Sequence, residues 1–191
     1  MRIIGGFLKG KKIVFLKSVT TRPLRDFIKE SIFNIIIHSN LINVSLENAN
    51  ILDLYSGVGS FGIECISRGA KKTTFVEKDK KALEILKKNV EHLKIKQKCK
   101  IFENQIVSFF NQSNKDDRFE IIFLDPPFSE NFLIEDLKRI KNCNIFKKNH
   151  LIIAHRENKS KDDFSQIMNV IATKRYGRSK IIFGNFSSNV A

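Results

Sequence analysis

From residue 50 onward, apolar stretches of two kinds alternate along the chain. Short, nearly continuous apolar runs are typical of buried parallel strands, whereas apolar residues recurring every three or four positions are typical of amphipathic helices. Strands are predicted over 50–55, 72–77, 99–102, 119–124, 151–154, 173–176 and 180–186, of which 119–124 is a nearly continuous apolar run. Helices are predicted between them, over 60–68, from a cap at Asp79 onward, over 106–110 and over 133–140. This alternation, closed by a hairpin at Gly177-Arg178, predicts a seven-stranded, mostly parallel α/β sheet with an antiparallel edge.

The first 45 residues follow a different pattern. Gly5, Gly6 and Gly10 interrupt two short apolar stretches, which predicts a small β-hairpin. Residues 20–23, T-T-R-P, then predict the start of a helix, because threonine caps a helix and proline is tolerated in its first turn. The apolar residues that would share one face of this helix are Leu24, Ile28, Ile32, Ile35 and Ile36. We therefore divide the chain into an N-terminal arm, residues 1–45, and an α/β domain, residues 46–191.

The charge of the chain points to a polyanionic partner. The 191 residues carry 34 Lys and Arg against 20 Asp and Glu, a formal net charge of +14. Basic surfaces attract nucleic acid through phosphate contacts and counterion release, although biased codon usage would produce the same lysine excess. The arm is strongly basic, with eight basic and two acidic side chains in residues 1–30. We expect the arm's charge to be functional and the lysines of residues 78–100 to form a solvated helix face.

The composition also excludes several classes of protein. Hydrophobic residues make up 42% of the chain, which is too many for a disordered protein. No apolar run reaches about 18 residues and the start lacks a signal-peptide pattern, so we expect a cytoplasmic protein without a membrane span. Cys65, Cys99 and Cys143 show no C-x-x-C spacing and are expected to be reduced thiols. The four histidines lack the helical spacing of metal ligands, so we expect no metal site.

Residues 53–62, D-L-Y-S-G-V-G-S-F-G, join the first predicted strand to the first predicted helix. They contain G-x-G-x-x-G, and Glu77 lies twenty residues after Gly57, as in dinucleotide-binding folds. Asp53 argues against a dinucleotide, because it places a carboxylate where a pyrophosphate would lie. It suits a ligand with an ammonium and a sulfonium group and no phosphate, such as S-adenosylmethionine. Glu77 would accept hydrogen bonds from the ribose hydroxyls of either ligand.

A second motif, Asp125-Pro126-Pro127-Phe128, directly follows the apolar run 119–124. Two prolines hold the backbone rigid, so the loop offers a carboxylate, a free carbonyl and an aromatic face at fixed separations. That arrangement suits a planar substrate whose exocyclic amino group is held in line with a methyl donor. Both motifs follow predicted strands, and the carboxyl ends of parallel strands form the ligand-binding edge of open α/β sheets.

Residues 53–62, Glu77 and residues 125–128 resemble the cofactor and target-amine motifs of class I amino-methyltransferases. The arm narrows the resemblance to the RsmD-type bacterial methyltransferases, which modify N2 of a guanine in small-subunit (16S) ribosomal RNA. The further segments that carry it are 2–6, 9–10, 21–23, Asp26, 30–34, 67–70, 77–79 and 175–177. The resemblance implies a Rossmann-like class I fold, S-adenosylmethionine as cofactor, and ribosomal RNA as partner, bare or within an assembling small subunit.

The resemblance also implies the site residues. It implies a cofactor site formed by Asp53, Tyr55, Ser56, Gly57, Gly59, Glu77, Lys78, Gln105 and Asp125. It implies catalysis by Asp125, Pro126, Pro127 and Phe128, and RNA contacts from Arg2, Lys9, Lys11, Lys12, Arg22 and Arg25. Gln105 stands where the family usually has Asp, and its carbonyl oxygen still accepts a hydrogen bond from the adenine amino group. Residues 22–30 depart from the family's usual R-P-T-T-D-R-V-R-E.

Three other functions remain open at this stage. An adenine-N6 methyltransferase acting on DNA or RNA uses the same type of D-P-P-aromatic loop, although the chain has little length for a separate DNA-reading domain. A nicotinamide-dependent oxidoreductase is disfavoured by Asp53. A non-catalytic RNA-binding ribosome-assembly factor would not need the methyl donor. We expect the chain to act as a monomer.

Overall fold

The computed structural model describes residues 1–15, 26–112, 117–128 and 132–187. The helices are α1 (Asp26–His38), α2 (Ser60–Ser67), α3 (Lys80–His92), α4 (Ile106–Gln112) and α5 (Leu133–Cys143), with a short 3₁₀ turn at Lys96–Lys98. The strands are β1 (Asn50–Leu54), β2 (Lys72–Val76), β3 (Cys99–Phe102), β4 (Phe119–Leu124), β5 (Phe146–Glu157), β6 (Asn169–Tyr176) and β7 (Ser179–Asn185). The predicted start of α1 at residues 20–23 lies outside the described residues.

The seven strands form one sheet in the order β3-β2-β1-β4-β5-β7-β6. Strands β1 to β5 pair in parallel, and β7 pairs antiparallel with β5 and β6. The predicted fold class and the antiparallel edge are therefore confirmed. Strand β5 extends well beyond the predicted 151–154 at both ends. Its polar flanks hid these extensions from the apolar pattern, and pairing with β7 carries it to Glu157.

The chain reverses its direction of travel across the sheet between β1 and β4. From β1 it moves outward through β2 to β3, and it then returns to place β4 on the other side of β1. In open α/β sheets, ligands bind in the crevice at the carboxyl ends of the strands where the order reverses. Both sequence motifs follow the two strands that flank this crevice, since Leu54 pairs with Leu124 at their ends.

Helices cover both faces of the sheet. Helices α4 and α5 pack on one face, and α1 and α2 pack on the other. A row of stacked rings anchors the second layer: Phe33 of α1 stacks on Phe61 of α2, and Phe61 stacks on Phe123 of β4 with ring centroids 4.1 Å apart. This packing fixes α2, and with it the loop before α2, against the strand that ends in the second motif. Within the described residues, no helix is both long and apolar enough to cross a membrane.

The start of the arm packs against α2 and α3. A single antiparallel bridge joins Arg2 to Lys12, and Ile3, Leu8 and Ile13 are buried in one cluster with apolar residues of both helices. The hydroxyl of Ser60, at the start of α2, contacts Met1 Sδ, and the N–H of Phe7 donates to the carbonyl of Ser67, at the end of α2. The hairpin therefore runs along α2 away from the crevice.

A buried charge cluster ties the arm to this face. The Glu64 carboxylate accepts hydrogen bonds from the N–H groups of Ile4 and Gly5, both at 2.8 Å. Lys29 is fully buried, lies 3.5 Å from the same carboxylate and donates to the Arg2 carbonyl. Burial lowers the pKa of the Lys29 ammonium, and the nearby Glu64 charge opposes that shift. The backbone of residues 2–5 is thus held by α1 and α2 together.

Candidate active site

The candidate site lies where β1 and β4 end beside the interior of β5. Leu54 pairs with Leu124, and Leu124 pairs with Ala154, so the residues that follow these three paired positions meet at one edge. Asp125 and His155 are such residues. Since residues two apart in a strand share a face, both continue the face of Phe123 and Ile153, which α1 and α2 cover. The register of three parallel strands therefore gathers side chains that are far apart in the chain.

Asp53, the penultimate residue of β1, is buried, with an exposed fraction of 1%. Its Oδ2 accepts a hydrogen bond from the N–H of Gly62 at 2.9 Å, which fixes the carboxylate against the first turn of α2. Burial raises the pKa of Asp53 well above its usual value; the Gly62 hydrogen bond opposes the shift, and the charges of Asp125 and Glu77 add to it. Three carboxylates thus converge on the crevice.

Glu77 fastens the glycine loop to the end of β2. Its Oε2 accepts the N–H of Gly57 at 2.7 Å, and its Oε1 accepts the N–H groups of Lys78 and Asp79 at 2.8 Å. Each carboxylate oxygen has two lone pairs, so Oε2 can accept a further hydrogen bond. Asp79 in turn caps α3 through the N–H of Ala82, as predicted.

The turn between β1 and α2 depends on Gly59. Its φ of 85° is disfavoured for other residues, and a Cβ there would lie 2.4 Å from Leu86 Cδ1. The N–H of Gly59 donates to the carbonyl of Ser56 and closes the turn. Ser56 Oγ is buried and has no hydrogen-bond partner among the described residues. The space beside Gly57, where a Cβ would project, is open to 4 Å.

Tyr55 links the glycine loop to the opposite helix layer. Its φ is 59°, and its hydroxyl donates to Asp136 Oδ2 of α5 at 2.6 Å. Because α5 begins shortly after the second motif, this bond connects the two loops that flank the crevice. The Tyr55 hydroxyl is engaged there, so a cofactor contact from Tyr55 would come from its ring or its backbone.

The second motif makes two contacts that the sequence pattern did not predict. Asp125 Oδ1 lies 2.8 Å from His155 Nδ1, and the Phe128 ring meets the His155 ring edge-on with centroids 5.3 Å apart. His155 Nε2 is buried and has no partner among the described residues. The available signal was its position directly after the predicted strand 151–154, which matches the position of Asp125 directly after the predicted strand 119–124.

The remaining predicted residues are dispersed around this centre. Lys78 follows Glu77, and exposed Gln105 lies between β3 and α4 on the same edge of the sheet. Arg2 and Lys12 face each other across the hairpin bridge, and Lys9 and Lys11 follow towards its turn. All four of these basic residues are exposed. Arg22 and Arg25 lie outside the described residues.

This geometry fits S-adenosylmethionine and does not fit a dinucleotide. A cationic ligand would relieve the mutual repulsion of Asp53, Asp125 and Glu77, whereas a pyrophosphate would increase it. The unpartnered Ser56 hydroxyl and the open space beside Gly57 supply a polar contact and room at the same loop. Among the described residues, no group of three or more His, Cys, Asp or Glu side chains could hold a metal ion.

Comparison with known proteins assigns the family. A family model described as Conserved hypothetical protein 95 matches residues 1–185. Ribosomal RNA small subunit methyltransferase D of Haemophilus influenzae is 34% identical over 158 residues, which cover 82% of this chain and 79% of the relative. The chain belongs to the RsmD-type methyltransferase family. A second relative of the same name, from Buchnera aphidicola, is 35% identical to this RsmD-type methyltransferase, covering 83% of this chain and 76% of the relative.

Solved structures agree with the assignment. The Escherichia coli protein yhhF matches this RsmD-type methyltransferase with a TM-score of 0.84 and 25% identity, over 99% of each chain. A methylase from Haemophilus influenzae matches with a TM-score of 0.78 and 29% identity, over 97% of this chain and 98% of that one. The fold is thus the class I methyltransferase fold. Family membership decides against the nicotinamide-dependent oxidoreductase and against a non-catalytic assembly factor.

The raised pKa of Asp53 predicts that its ionised carboxylate lowers the stability of the ligand-free protein. The folded state holds the Asp53 proton more tightly than the unfolded state, so the stability that this residue contributes is present at low pH. It is lost as pH rises above the usual carboxyl value of about 4 and through the folded pKa. We expect Asp53→Asn to raise the Tm of the ligand-free protein by about 2–4 °C at pH 8, and by less at pH 5. The same change should weaken S-adenosylmethionine binding at least tenfold (roughly 1.4 kcal/mol).

Thermal denaturation between pH 5 and pH 8 and calorimetric titration with S-adenosylmethionine measure the two effects. Glu84→Gln, which replaces an exposed carboxylate of α3, is the control and should change neither. A Tm difference between Asp53→Asn and wild type that stays constant across this pH range would contradict the assignment.

Proposed function

We propose that this methyltransferase transfers a methyl group from S-adenosylmethionine to the exocyclic N2 of a guanine in small-subunit ribosomal RNA. The observation that carries the proposal is the juxtaposition, across one crevice, of a carboxylate-lined glycine loop and the rigid Asp125–Phe128 loop. The relatives named as ribosomal RNA small subunit methyltransferases support RNA as the substrate. We propose that the reaction takes place in the cytoplasm and that the chain acts as a monomer.

The cofactor contacts follow from the fixed positions around the glycine loop. Asp53 would face the methionine ammonium, Ser56 and the backbone at Gly57 and Gly59 would surround the methionine chain, and Glu77 would bind the ribose. Lys78 and Gln105, on the same edge of the sheet, would flank the adenosine, and Asp125 would complete the negative lining. When bound, S-adenosylmethionine supplies an electrophilic methyl group on a sulfonium.

The second loop would hold the amine. Asp125 and the Pro126 carbonyl would accept its two N–H bonds, and Phe128 would stack on the guanine ring. Pro127 stiffens the loop, so these groups keep their separations when the base arrives. The lone pair of the exocyclic nitrogen is delocalised into the ring, and two acceptors favour a more tetrahedral, more nucleophilic nitrogen. The proton leaves during or after attack, so a strong base is not required.

The target guanine must leave its stack to reach this loop. Phe128 is only partly exposed and lies beside the buried ring of His155, so a base paired within a helix would be sterically kept away. Enzymes that modify a base therefore act on an unpaired nucleotide or flip it out. A nucleotide in a ribosomal RNA loop satisfies this requirement at the lowest cost.

The RNA backbone would lie along the arm. Arg2 and Lys12 form the pair next to Met1 in the hairpin, and Met1 contacts the start of α2 at the crevice edge. Lys11 and Lys9 lie further along α2, whose eight residues span about 12 Å. They would contact nucleotides that flank the target, and Arg22 and Arg25 complete the proposed set. Lys98 lies beside Phe7, near the far end of the hairpin, and is not included.

Asp125→Ala should abolish methyl transfer, with a loss of at least about 10³-fold, because the amine loses its charged acceptor. S-adenosylmethionine affinity should change by less than tenfold (about 1.4 kcal/mol), since Asp53 and Glu77 remain. Incorporation of labelled methyl into a small-subunit ribosomal RNA transcript and calorimetry measure these two quantities. Asp117→Ala, at an exposed carboxylate before β4, is the matched control and should retain full turnover. Retained turnover in Asp125→Ala would remove the role assigned to this residue.

Replacing both Arg2 and Lys12 by Ala should weaken RNA binding and flatten its salt dependence. Each lost phosphate contact lowers the slope of log K against log salt by about 0.7–0.9, so we expect a change of about 1.4–1.8. The control is the double change Lys96→Ala and Lys98→Ala, which removes the same charge from exposed lysines of the α3–β3 connection. Equal slopes for the two double variants, measured by filter binding over a salt series, would argue against the arm as the RNA surface.

A further inference from the structure

The His155 side chain contacts the carboxylate of Asp125, the proposed acceptor of the target amine. Its Nδ1 lies 2.8 Å from Asp125 Oδ1. The His155 side chain is 8% exposed and that of Asp125 is 24% exposed, so the carboxylate reaches the crevice while its partner stays inside. The same imidazole supports Phe128 from its edge. One buried ring therefore contacts both side chains that are proposed to grip the substrate base.

The backbone around His155 leaves this ring little freedom. His155 lies in the interior of β5 and pairs with Ile181 of β7, and the preceding Ala154 is bridged on both sides, to Leu124 and to Ile182. A side chain on a strand that is paired on both edges moves less than one on a loop. Asp125, by contrast, is the first residue after β4, and its N–H donates a long, 3.4 Å hydrogen bond to the Leu54 carbonyl. The His155 contact therefore joins a loop residue to a strand that is paired on both edges.

We propose that His155 is a positioning residue for the methyl transfer. It donates from Nδ1–H to Asp125 Oδ1, leaves Oδ2 to accept the amine N–H, and sets the plane of Phe128 through its ring edge. The inference rests on the proposed function, because it assumes that Asp125 accepts the target amine. It adds a residue of β5 to a site whose other proposed residues lie at or after the ends of β1, β2, β3 and β4.

The buried Nε2 atom selects the form of the imidazole. It has no hydrogen-bond partner among the described residues. In a doubly protonated ring, Nε2 would carry a buried N–H without a partner and the buried ring would carry a charge, which together cost more than one unpaired lone pair on a neutral ring. The neutral Nδ1–H tautomer leaves Nε2 without a proton and still provides the Nδ1–H that donates to Asp125. In that form Asp125 keeps its charge and acts only as an acceptor, as the amine requires.

Three replacements separate a positioning role from other roles. The amide nitrogen of Asn overlays Nδ1 of a histidine, the amide nitrogen of Gln overlays Nε2, and Leu offers neither donor. We expect His155→Leu and His155→Gln to lose about 10- to 100-fold in kcat with small changes in the KM for S-adenosylmethionine. We expect His155→Asn to recover kcat to within about threefold of wild type (under ~1 kcal/mol).

His150 provides the matched control on the same strand. It is as buried as His155, but it bonds the Lys147 carbonyl and the N–H of Phe186, away from the crevice. His150→Leu should lower the Tm and leave kcat unchanged in the fraction that remains folded. Loss of kcat in His150→Leu equal to that in His155→Leu would show that the effect of His155 is structural, and the proposal would fail.

Two further outcomes would overturn the proposal. If His155→Asn lost as much kcat as His155→Leu, His155 would act as a proton acceptor and not as a positioning donor. If nitrogen NMR of the ligand-free protein showed the proton on Nε2 of His155, or no change in the His155 resonances in Asp125→Asn, the donation would be wrong. Because NMR requires neither cofactor nor RNA, it still tests the hydrogen bond if the RNA substrate proposed above proves incorrect.

Discussion

The convergence of three carboxylates at the reversal of the sheet is the constraint on which the rest of the site depends. Asp53 is buried against α2 and feels the charges of Asp125 and Glu77, so its ionised form is unfavourable without a ligand. A cationic ligand would offset the repulsion among the three carboxylates, whereas a phosphate would add to it. The electrostatics of the crevice therefore favour a cationic cofactor.

Several hydrogen bonds keep the two loops at a fixed separation despite this repulsion. Glu77 holds the glycine loop from β2, and Tyr55 reaches across to Asp136 of α5. His155 holds Asp125 from β5. Each bond joins residues that are distant in the chain, so the sheet and the helix layers together hold the two loops at the crevice. A preorganised site of this kind spends little binding energy on ordering its own groups when the substrates arrive.

Much of the fold and part of the site could be predicted from the sequence. The alternation of strand and helix patterns predicted every strand of the sheet. Asp53, near the end of one buried strand, and Asp125, directly after another, indicated a shared edge. His155 was missed because its significance lies in the register between β4 and β5, which no local pattern encodes. The polar flanks of β5 concealed its length for the same reason: pairing with β7, rather than an apolar run, sustains the strand to Glu157.

The N-terminal arm is a second part of the structure that local sequence patterns predict only incompletely. Its basic charge was visible in the sequence, but the path of the hairpin along α2 was not. Along that path, Lys12 lies near the crevice edge and Lys9 lies further from it. The distribution of charge along the sequence could not predict which lysines lie near the crevice. The path of the hairpin depends on the buried carboxylate of Glu64, about sixty residues after Ile4.

The central claim, methylation of a guanine amino group in ribosomal RNA, is tested most directly by mass spectrometry of small-subunit ribosomal RNA from cells that carry or lack this gene. The account predicts that one guanine loses a single N2 methyl group when the gene is absent and regains it when the intact gene is returned. An unchanged guanine pattern, or the loss of a methyl group from adenine instead, would contradict it.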